Sequence, residues 1–312
     1  MVVDSKEISK NILATIAYYD VFSYPLTIFE IWKYLMRSDY FEEGYSGGTD
    51  LSQIAKELKQ EPLIRFIEED NGFYFLKGRK ELVAERIKNS KISFLKLKRL
   101  RFAIKILRFV PFVKMIGVTG RLAMKNAQNK SDWDVFIVLK KNRIWIGRTI
   151  VTLVAHLIGK RRHGKKIQNR ICLNYFATEE GLEIPIKDLY SANEYFFLYP
   201  IFGFETFKKF QLKNKWIKNM KPHYYICEIE PSGIVEDSFF SRNFRKLGEK
   251  FFNFQFLENW LEKIEKKKIM KNPKTYQEGG MIRATNEALI FLPELKGPKV
   301  FDKFKEKIEN LA

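Results

Sequence analysis

The chain has 312 residues, of which 46% are hydrophobic and 15% aromatic, and its formal net charge is +19. This composition predicts two or three folded globular domains with substantial cores. The two cysteines, Cys172 and Cys227, are far apart and lack metal-type spacing, which excludes a disulfide-stapled scaffold and favours a reducing compartment.

Neither a secretory leader nor a membrane span is expected. Charged side chains precede the first apolar run, unlike an ordinary signal peptide. The most apolar helix candidate, residues 144–158, is interrupted by Arg148 and His156 and is shorter than the ~20 residues a span needs. We therefore expect a cytoplasmic protein without a transmembrane segment.

The positive charge is concentrated in one segment. Residues 77–170 contain 26 Lys and Arg against four acidic residues, a local net charge of +22, so the other 218 residues sum to −3. Such a field attracts polyanions, nucleic acid first and anionic membrane second. A lysine-rich composition is the alternative interpretation, but it explains poorly why the remainder is slightly acidic.

The first predicted elements are three helices. Apolar positions between residues 8 and 16 keep helical spacing. Thr27 and Glu30 predict a capping box at the start of the second helix. A glycine- and acid-rich loop at 37–50 separates it from a third helix at 51–59.

A β-hairpin is predicted next. Asn71 and Gly72 form a turn pair favoured where the backbone needs positive φ, and short strand-like runs flank them. Three helices followed by a hairpin is the order of a winged helix-turn-helix, which we assign to residues 1–80. The third helix contains Glu57 and is less basic than a typical recognition helix.

Residues 81–110 predict a basic linker helix. One face is apolar and comprises Phe94, Leu97, Leu100, Ile104 and Leu107. Basic side chains cover the remainder, namely Lys96, Lys98, Arg99, Arg101, Lys105 and Arg108. Joining and packing two domains is the preferred interpretation; a nucleic-acid contact and a membrane-surface helix at 93–109 are alternatives.

Residues 111–187 predict an α/β core, since strands alternate with helices. The strands are expected at 112–118, 133–139 and 170–176, and the helices from 122 and at 144–158.

The remaining region, 188–312, is predicted to be mainly helical. Ser191 and Glu194 suggest a capping box near its start. Short strands at 281–285 and 288–292 precede a last helix at 299–310.

Asp132 and Asp134 open the apolar strand at 133–139. Residues i and i+2 of a strand share a face, so the two carboxylates lie side by side. Each raises the pKa of the other unless a cation compensates, and Mg²⁺ is the cation that prefers carboxylate oxygens together with water and phosphate. The pair therefore predicts a Mg²⁺ site; a solvated turn before a strand is the alternative.

Gly120 follows the strand before the aspartate pair. A strand, a tight glycine turn and a helix start offer backbone N–H groups to a phosphate. Twelve residues separate Gly120 from Asp132, enough for one helix and a return loop. The spacing places a phosphate cradle beside the metal pair, as phosphoryl transfer requires.

The stretch "TGRLAMKNAQNKSDWDVFIV" resembles the signature of the nucleotidyltransferase fold of the DNA polymerase beta superfamily: a glycine, a short helix and Ser-Asp-x-Asp opening a strand. The resemblance covers roughly residues 100–200. The chain is also similar to a poorly characterised prokaryotic group that couples a winged helix to such a domain, in "YYDVFSYPLT", "DNGFYFLKG" and "RICLNYF". The implied fold class is α+β, with an α/β nucleotidyltransferase core and a mixed sheet, an N-terminal winged helix-turn-helix and a mainly helical C-terminal region.

The resemblance implies Mg²⁺-dependent transfer of a nucleoside monophosphate from an NTP to an unidentified acceptor. The implied catalytic residues are Asp132, Asp134 and Asn174, the metal ligands are Asp132 and Asp134, and the nucleotide contacts are Thr119, Gly120, Arg121 and Ser131. Arg121 stands where the family has serine, and Asn174 stands where it has a third carboxylate. Glu179 or Glu180 is an alternative source of the missing charge.

A second hypothesis is a catalytically degraded protein with a nucleotide- or nucleic-acid-binding regulatory role. Nucleic acid would contact the basic segment through phosphates, without base readout. The expected contacts are Lys96, Lys98, Arg99, Arg101, Lys105, Arg161, Arg162, Lys165 and Lys166. A third, weaker hypothesis is a peripheral membrane protein. The three histidines lack the spacing of a zinc site.

Overall fold

A computed structural model of the protein describes residues 5–37 and 49–311, which form a mixed α+β structure. Most of the predicted glycine- and acid-rich loop, residues 38–48, lies outside the described residues. Within the described ranges, no helix combines the length and apolarity needed to cross a membrane.

In residues 5–37 and 49–76, the N-terminal module has four helices and a small antiparallel sheet. The predicted capping box is present, since the Thr27 side chain accepts from the Glu30 N–H and the Glu30 carboxylate accepts from the Thr27 N–H. Asn71 and Gly72 both have positive φ in the hairpin turn, as predicted. The elements are α1 (Ser5–Asp20), β1 (Leu26–Thr27), α2 (Ile28–Lys33), α3 (Leu51–Glu57), α4 (Leu63–Phe66), β2 (Ile67–Asp70) and β3 (Phe73–Leu76), with strand order β1-β3-β2.

The basic helix α5 is continuous over Glu81–Leu107, but its predicted faces need correction. Phe94 was expected on the packed face and is 69% exposed, whereas Lys96 was expected on the basic face and is 2% exposed. The Lys96 ammonium donates to the backbone carbonyls of Asn129 and Ser131. These contacts hold Lys96 on the side of the helix that faces the turn before β5.

A six-stranded mixed sheet forms the centre of the protein, with strand order β7-β4-β5-β6-β9-β8. Only β5 and β6 are parallel, and the other neighbouring strands are antiparallel. The strands are β4 (Val113–Val118), β5 (Trp133–Leu139), β6 (Ile171–Thr178), β7 (Tyr199–Phe202), β8 (Met281–Ala284) and β9 (Ala288–Leu292). The sheet crosses the boundary predicted at residue 187, because β7, β8 and β9 come from the region expected to be mainly helical.

The helices of this part cover both sides of the sheet. The helix predicted from residue 122 is a single turn, α6 (Gly120–Ala123). The others are α7 (Ile144–Leu157), α8 (Leu189–Phe196), α9 (Phe204–Lys213), α10 (Phe239–Phe252), α11 (Gln255–Met270) and α12 (Lys296–Glu309).

Strand β5 is buried on both faces after Asp134, which explains the unbroken apolar run from Val135 to Leu139. Val135 and Ile137 pack in the core that includes residues of α5 and α7. Phe136 and Val138 pack in the core that includes residues of α8 and α9. Asp134 has the same parity as Phe136, so its side chain lies on the α8 side of the sheet.

Candidate functional site

The aspartate pair lies at the start of β5, where the ends of three adjacent central strands come together. In β4, Val118 is paired with Val135, and the next N–H, that of Thr119, donates to the Asp134 carbonyl at 3.0 Å. In the parallel strand β6, Cys172 is opposite Asp134. The end of β4 and the beginnings of β5 and β6 thus surround the two carboxylates.

Gly120 lies directly against Asp134 and has φ +65°. A Cβ atom on Gly120 would be 3.0 Å from Asp134 Oδ2 and 3.6 Å from Glu194 Oε1. A side chain here would be strained by the left-handed backbone and would crowd the carboxylate. The glycine therefore allows the β4–α6 turn to approach both acids.

Asp132, Asp134 and Cys172 are the group of potential metal ligands within residues 5–37 and 49–311, with ligand atoms within 4.8 Å of one another. Burial, followed by the charge of Asp132, raises the pKa of the Asp134 carboxyl. Burial and the two carboxylates raise the pKa of the Cys172 thiol to about 12, so it stays protonated. The cluster thus offers a divalent cation two carboxylates and a neutral sulfur.

Arg162 partly balances the negative charge. Its guanidinium donates to Asp132 Oδ2 at 2.5 Å and to Cys172 Sγ at 3.5 Å. This residue was predicted to bind nucleic acid, but it points into the acidic site from the loop before β6. Burial opposes ionisation of Arg162, yet the contacts with Asp132 and Cys172 raise its pKa overall.

Asn174 lies beside the pair, where sequence placed the third family position. Its amide nitrogen donates to Asp134 Oδ1 at 3.4 Å. Glu179 and Glu180 are at the opposite end of the sheet, where the Glu179 N–H donates to the Leu139 carbonyl and Glu180 pairs with Lys141. Neither glutamate can supply the missing charge, because the length of β6 separates them from Asp134.

Glu194 on α8 supplies a third carboxylate that sequence reasoning missed. Burial and the charge of Asp134 raise its pKa, while hydrogen bonds from the Thr119 side chain and the Gly120 N–H act in the opposite direction. A capping box was expected at Ser191, but the N-cap is Asp188, which accepts from the Ser191 N–H at 2.7 Å. Glu194 is therefore inside the helix and faces the sheet edge.

Tyr190 and Lys296 complete the surroundings of Glu194. The Tyr190 hydroxyl is hydrogen-bonded to the Glu194 carboxylate, and burial and this acid raise the pKa of Tyr190. The positive charge of Lys296, the first residue of α12, lowers the pKa of both Asp134 and Glu194. Tyr190 and Glu194 are four residues apart on α8, so they are neighbours on one side of the helix. This spacing is the signal in the sequence that could have identified the pair.

Three other residues were predicted to contact the nucleotide, and they differ in exposure and in hydrogen bonding. Thr119 is buried next to the site, and Arg121 is exposed on α6. The Ser131 hydroxyl donates to the Gln128 carbonyl at 2.8 Å, which supports the turn before Asp132.

The predicted nucleic-acid contacts divide into accessible and covered groups. Lys96 must be removed from the set, because its ammonium is buried among carbonyl oxygens. Arg101 packs directly against Gly233, and Arg161 is partly buried beside β6. The exposed members are Lys98, Arg99, Lys105, Lys165 and Lys166, together with Arg162, which is paired with Asp132.

No family model, curated protein or solved structure matches this chain. The function is therefore inferred from the residues and their geometry.

Proposed function

We propose that the protein is a Mg²⁺-dependent nucleotidyltransferase that transfers a nucleoside monophosphate from an NTP to an acceptor. The observation that carries the proposal is the position of Asp132 and Asp134 on one side of β5, against the Gly120 turn. Burial, followed by the charge of Asp132, raises the pKa of Asp134, as expected where two carboxyl groups share one site. Such pairs are typical of sites that bind a cation.

The carboxylate oxygens at this site are ligands of the kind that Mg²⁺ prefers. Asp132 and Asp134 would hold the ion, and Cys172 would not ligate it, because Mg²⁺ prefers oxygen and the thiol is protonated. When bound, Mg²⁺ would neutralise charge on the triphosphate and lower the pKa of the acceptor hydroxyl. Glu194 adds the negative charge that Asn174 lacks, from a helix instead of a strand.

The chain's own residues would orient the nucleotide. Gly120 leaves room for close approach to the site, and Arg121 is an exposed cation on the same turn for the triphosphate. Lys296 is a second cation beside the carboxylates. Tyr190 holds the Glu194 carboxylate through its hydrogen bond, which fixes that group's orientation.

The test is transfer from labelled NTPs in the presence of Mg²⁺, with RNA, DNA and the protein itself as acceptors. Asp134→Asn should abolish labelling, because it removes one ligand charge while keeping the side-chain shape. Glu180→Gln is the matched control and should retain full activity, since Glu180 lies at the opposite end of the sheet. Equal labelling by wild type and Asp134→Asn would overturn the site assignment.

A second candidate function is a regulatory protein that binds a nucleotide without transferring it. The specific observation in its favour is the Arg162 guanidinium on Asp132, where a cation would otherwise bind. Binding of an NTP without labelling of any acceptor would favour this function.

We also propose that residues 1–80 form a winged helix and that the exposed lysines and arginines of residues 77–170 contact nucleic-acid phosphates. Supporting observations are the antiparallel β2–β3 hairpin that follows the helices of this module, the strand order β1-β3-β2, and the exposure of Lys98, Arg99 and Lys105. Affinity for RNA or DNA should fall steeply as salt concentration rises. An affinity that is independent of salt would contradict a phosphate-binding surface.

A further inference from the structure

Helix α10 is attached to the protein by its polar side. Ser241 and Arg245 are buried, and Arg245 donates to both carboxylate oxygens of Asp237. Gly248 packs so closely on Pro111 that a Cβ atom would be 2.6 Å from its ring. Glu249 is paired with Lys114 and Lys140. The usual arrangement of a surface helix, apolar side inward, is therefore reversed.

An adjacent side of α10 presents a row of large apolar side chains to solvent. These residues, here called the α10 face, recur at positions i, i+4, i+7 and i+11 and are each more than half exposed: Phe240, Phe244, Leu247 and Phe251. Single exposed apolar residues are ordinary, but a continuous row of this kind marks a surface that binds something apolar.

Neighbouring elements extend the α10 face. Phe109, just after α5, contacts Phe240 and Phe244 with ring centroids 5.9 and 5.7 Å apart. Phe102, two turns earlier in α5, is exposed. Next along the chain, the α10–α11 connection and α11 also expose Phe254, Phe256 and Trp260.

The charged side chains of α10 and α11 are also divided between two sides, with acids facing the protein and basic residues facing solvent. In α11, the Glu258 carboxylate accepts from the backbone N–H groups of Trp145 and Ile146, and Glu265 is bound to Arg148 and Thr149. These acids are turned inward, as Glu249 is in α10. The side chains left exposed on α10 and α11 include Arg242, Lys246, Lys250, Lys263 and Lys267.

The exposed positive charge distinguishes between two possible binding partners of the α10 face, a second copy of the protein and an anionic lipid surface. In a two-fold dimer the same patch meets itself, so Lys246 and Lys250 would face like charges in the second copy. An anionic lipid surface accepts both parts of the patch, since phenylalanine and tryptophan enter the headgroup boundary while lysines bind the phosphates. Phenylalanine and leucine are also the side chains that gain most from leaving water.

We propose that the α10 face, extended by Phe109, binds the surface of an anionic lipid bilayer. The protein would lie on the membrane by this face, without any segment crossing it. The acidic site around Asp132 and Asp134 is formed by other elements, so this attachment is independent of transferase activity.

The test is flotation of the full-length protein with vesicles of phosphatidylcholine alone and of equimolar phosphatidylcholine and phosphatidylglycerol. Wild type should float with the anionic vesicles only. Phe240→Ser, Phe244→Ser and Phe251→Ser should each weaken binding about tenfold. Lys246→Glu should weaken it by about fivefold or more, and added salt should weaken the wild type.

Phe29→Ser is the matched control, because Phe29 on α2 is 51% exposed and Phe244 is 53% exposed. Binding by the control should equal that of wild type, and circular dichroism and thermal melting should show all variants folded. Absence of wild-type flotation, or equal flotation by the Phe244→Ser variant, would overturn the proposal. A dimer in solution that Phe244→Ser converts to monomer, without vesicle binding, would assign the face to a second copy instead.

Discussion

Replacing Asp134 by asparagine should stabilise the protein when no metal is present. One oxygen of Asp134 lies within 4.8 Å of one from Asp132, and burial together with this neighbour raises the Asp134 pKa. With an effective dielectric constant of ~20, repulsion at that distance is about 3 kcal/mol. Arg162 on Asp132 offsets part of it. We expect Asp134→Asn to raise the free energy of unfolding by about 1–2 kcal/mol.

The effect should depend on pH in a defined direction. An acid whose pKa is raised on folding binds its proton more tightly in the folded state, so its favourable contribution is complete below the unfolded pKa. That contribution is lost as pH rises through the folded pKa of Asp134. Asparagine is neutral throughout. The stability difference between variant and wild type should therefore be small near pH ~3 and grow toward neutrality.

Magnesium should reverse the order of stability. A ligand at 100 times its Kd stabilises the folded state by about 2.7 kcal/mol, which applies to the wild type and not to Asp134→Asn. Urea unfolding followed by circular dichroism, with EDTA or excess Mg²⁺, measures both effects. The wild type should be the less stable protein in EDTA and the more stable one in Mg²⁺.

Asp237→Asn provides the matched control. Burial raises the pKa of Asp237, but hydrogen bonds from Arg245 and Ser241 lower it overall, so this substitution should destabilise the protein. Its response to Mg²⁺ should equal that of wild type. Two results would refute the reasoning: a less stable Asp134→Asn protein in EDTA, or equal stabilisation of both proteins by Mg²⁺.

Three further predictions concern other contacts of the site and the basic helix. Gly120→Ala should lower the free energy of unfolding by about 2 kcal/mol and weaken Mg²⁺ binding. Gly279→Ala is the control, because Gly279 has φ +73° and open space around it, so this variant should show the cost of backbone strain without a change in Mg²⁺ binding. Lys96→Ala should cost about 2 kcal/mol in urea unfolding, because it removes the charged donor from two part-buried carbonyl oxygens, while Lys98→Ala should be neutral in stability and weaken RNA binding in filter assays. Arg162→Ala should tighten Mg²⁺ binding several-fold in calorimetry, since it removes a competing cation; weaker binding would show that Arg162 does not compete with the metal.

Local sequence patterns predicted much of the site. The two aspartates share a side of β5 because alternation along a strand is a property of the backbone. Gly120 was identifiable because a glycine between a strand and a helix start marks a turn. The capping box of Thr27 and Glu30 and the Asn71-Gly72 turn are likewise complete within four residues, and the structure contains both.

Long-range contacts decided the rest. Glu194 is 60 residues after Asp134 in sequence, and it reaches the site only because α8 packs on the same side of the sheet. Lys96 could not be recognised as buried, since its acceptors lie in the turn before β5. Strands β7, β8 and β9 could not be assigned to the central sheet, because pairing partners are chosen by tertiary structure.

The sequence by itself determined the strands at the start of the central sheet, the long basic helix, where the basic charge lies and that two carboxylates share a strand opening, because spacing and charge are local properties. Tertiary structure alone decided which third acid joins them, which cation opposes them and that α10 turns its apolar side outward. These features depend on contacts between residues that are distant in sequence, and the energies of such contacts are not encoded in any single window of the chain.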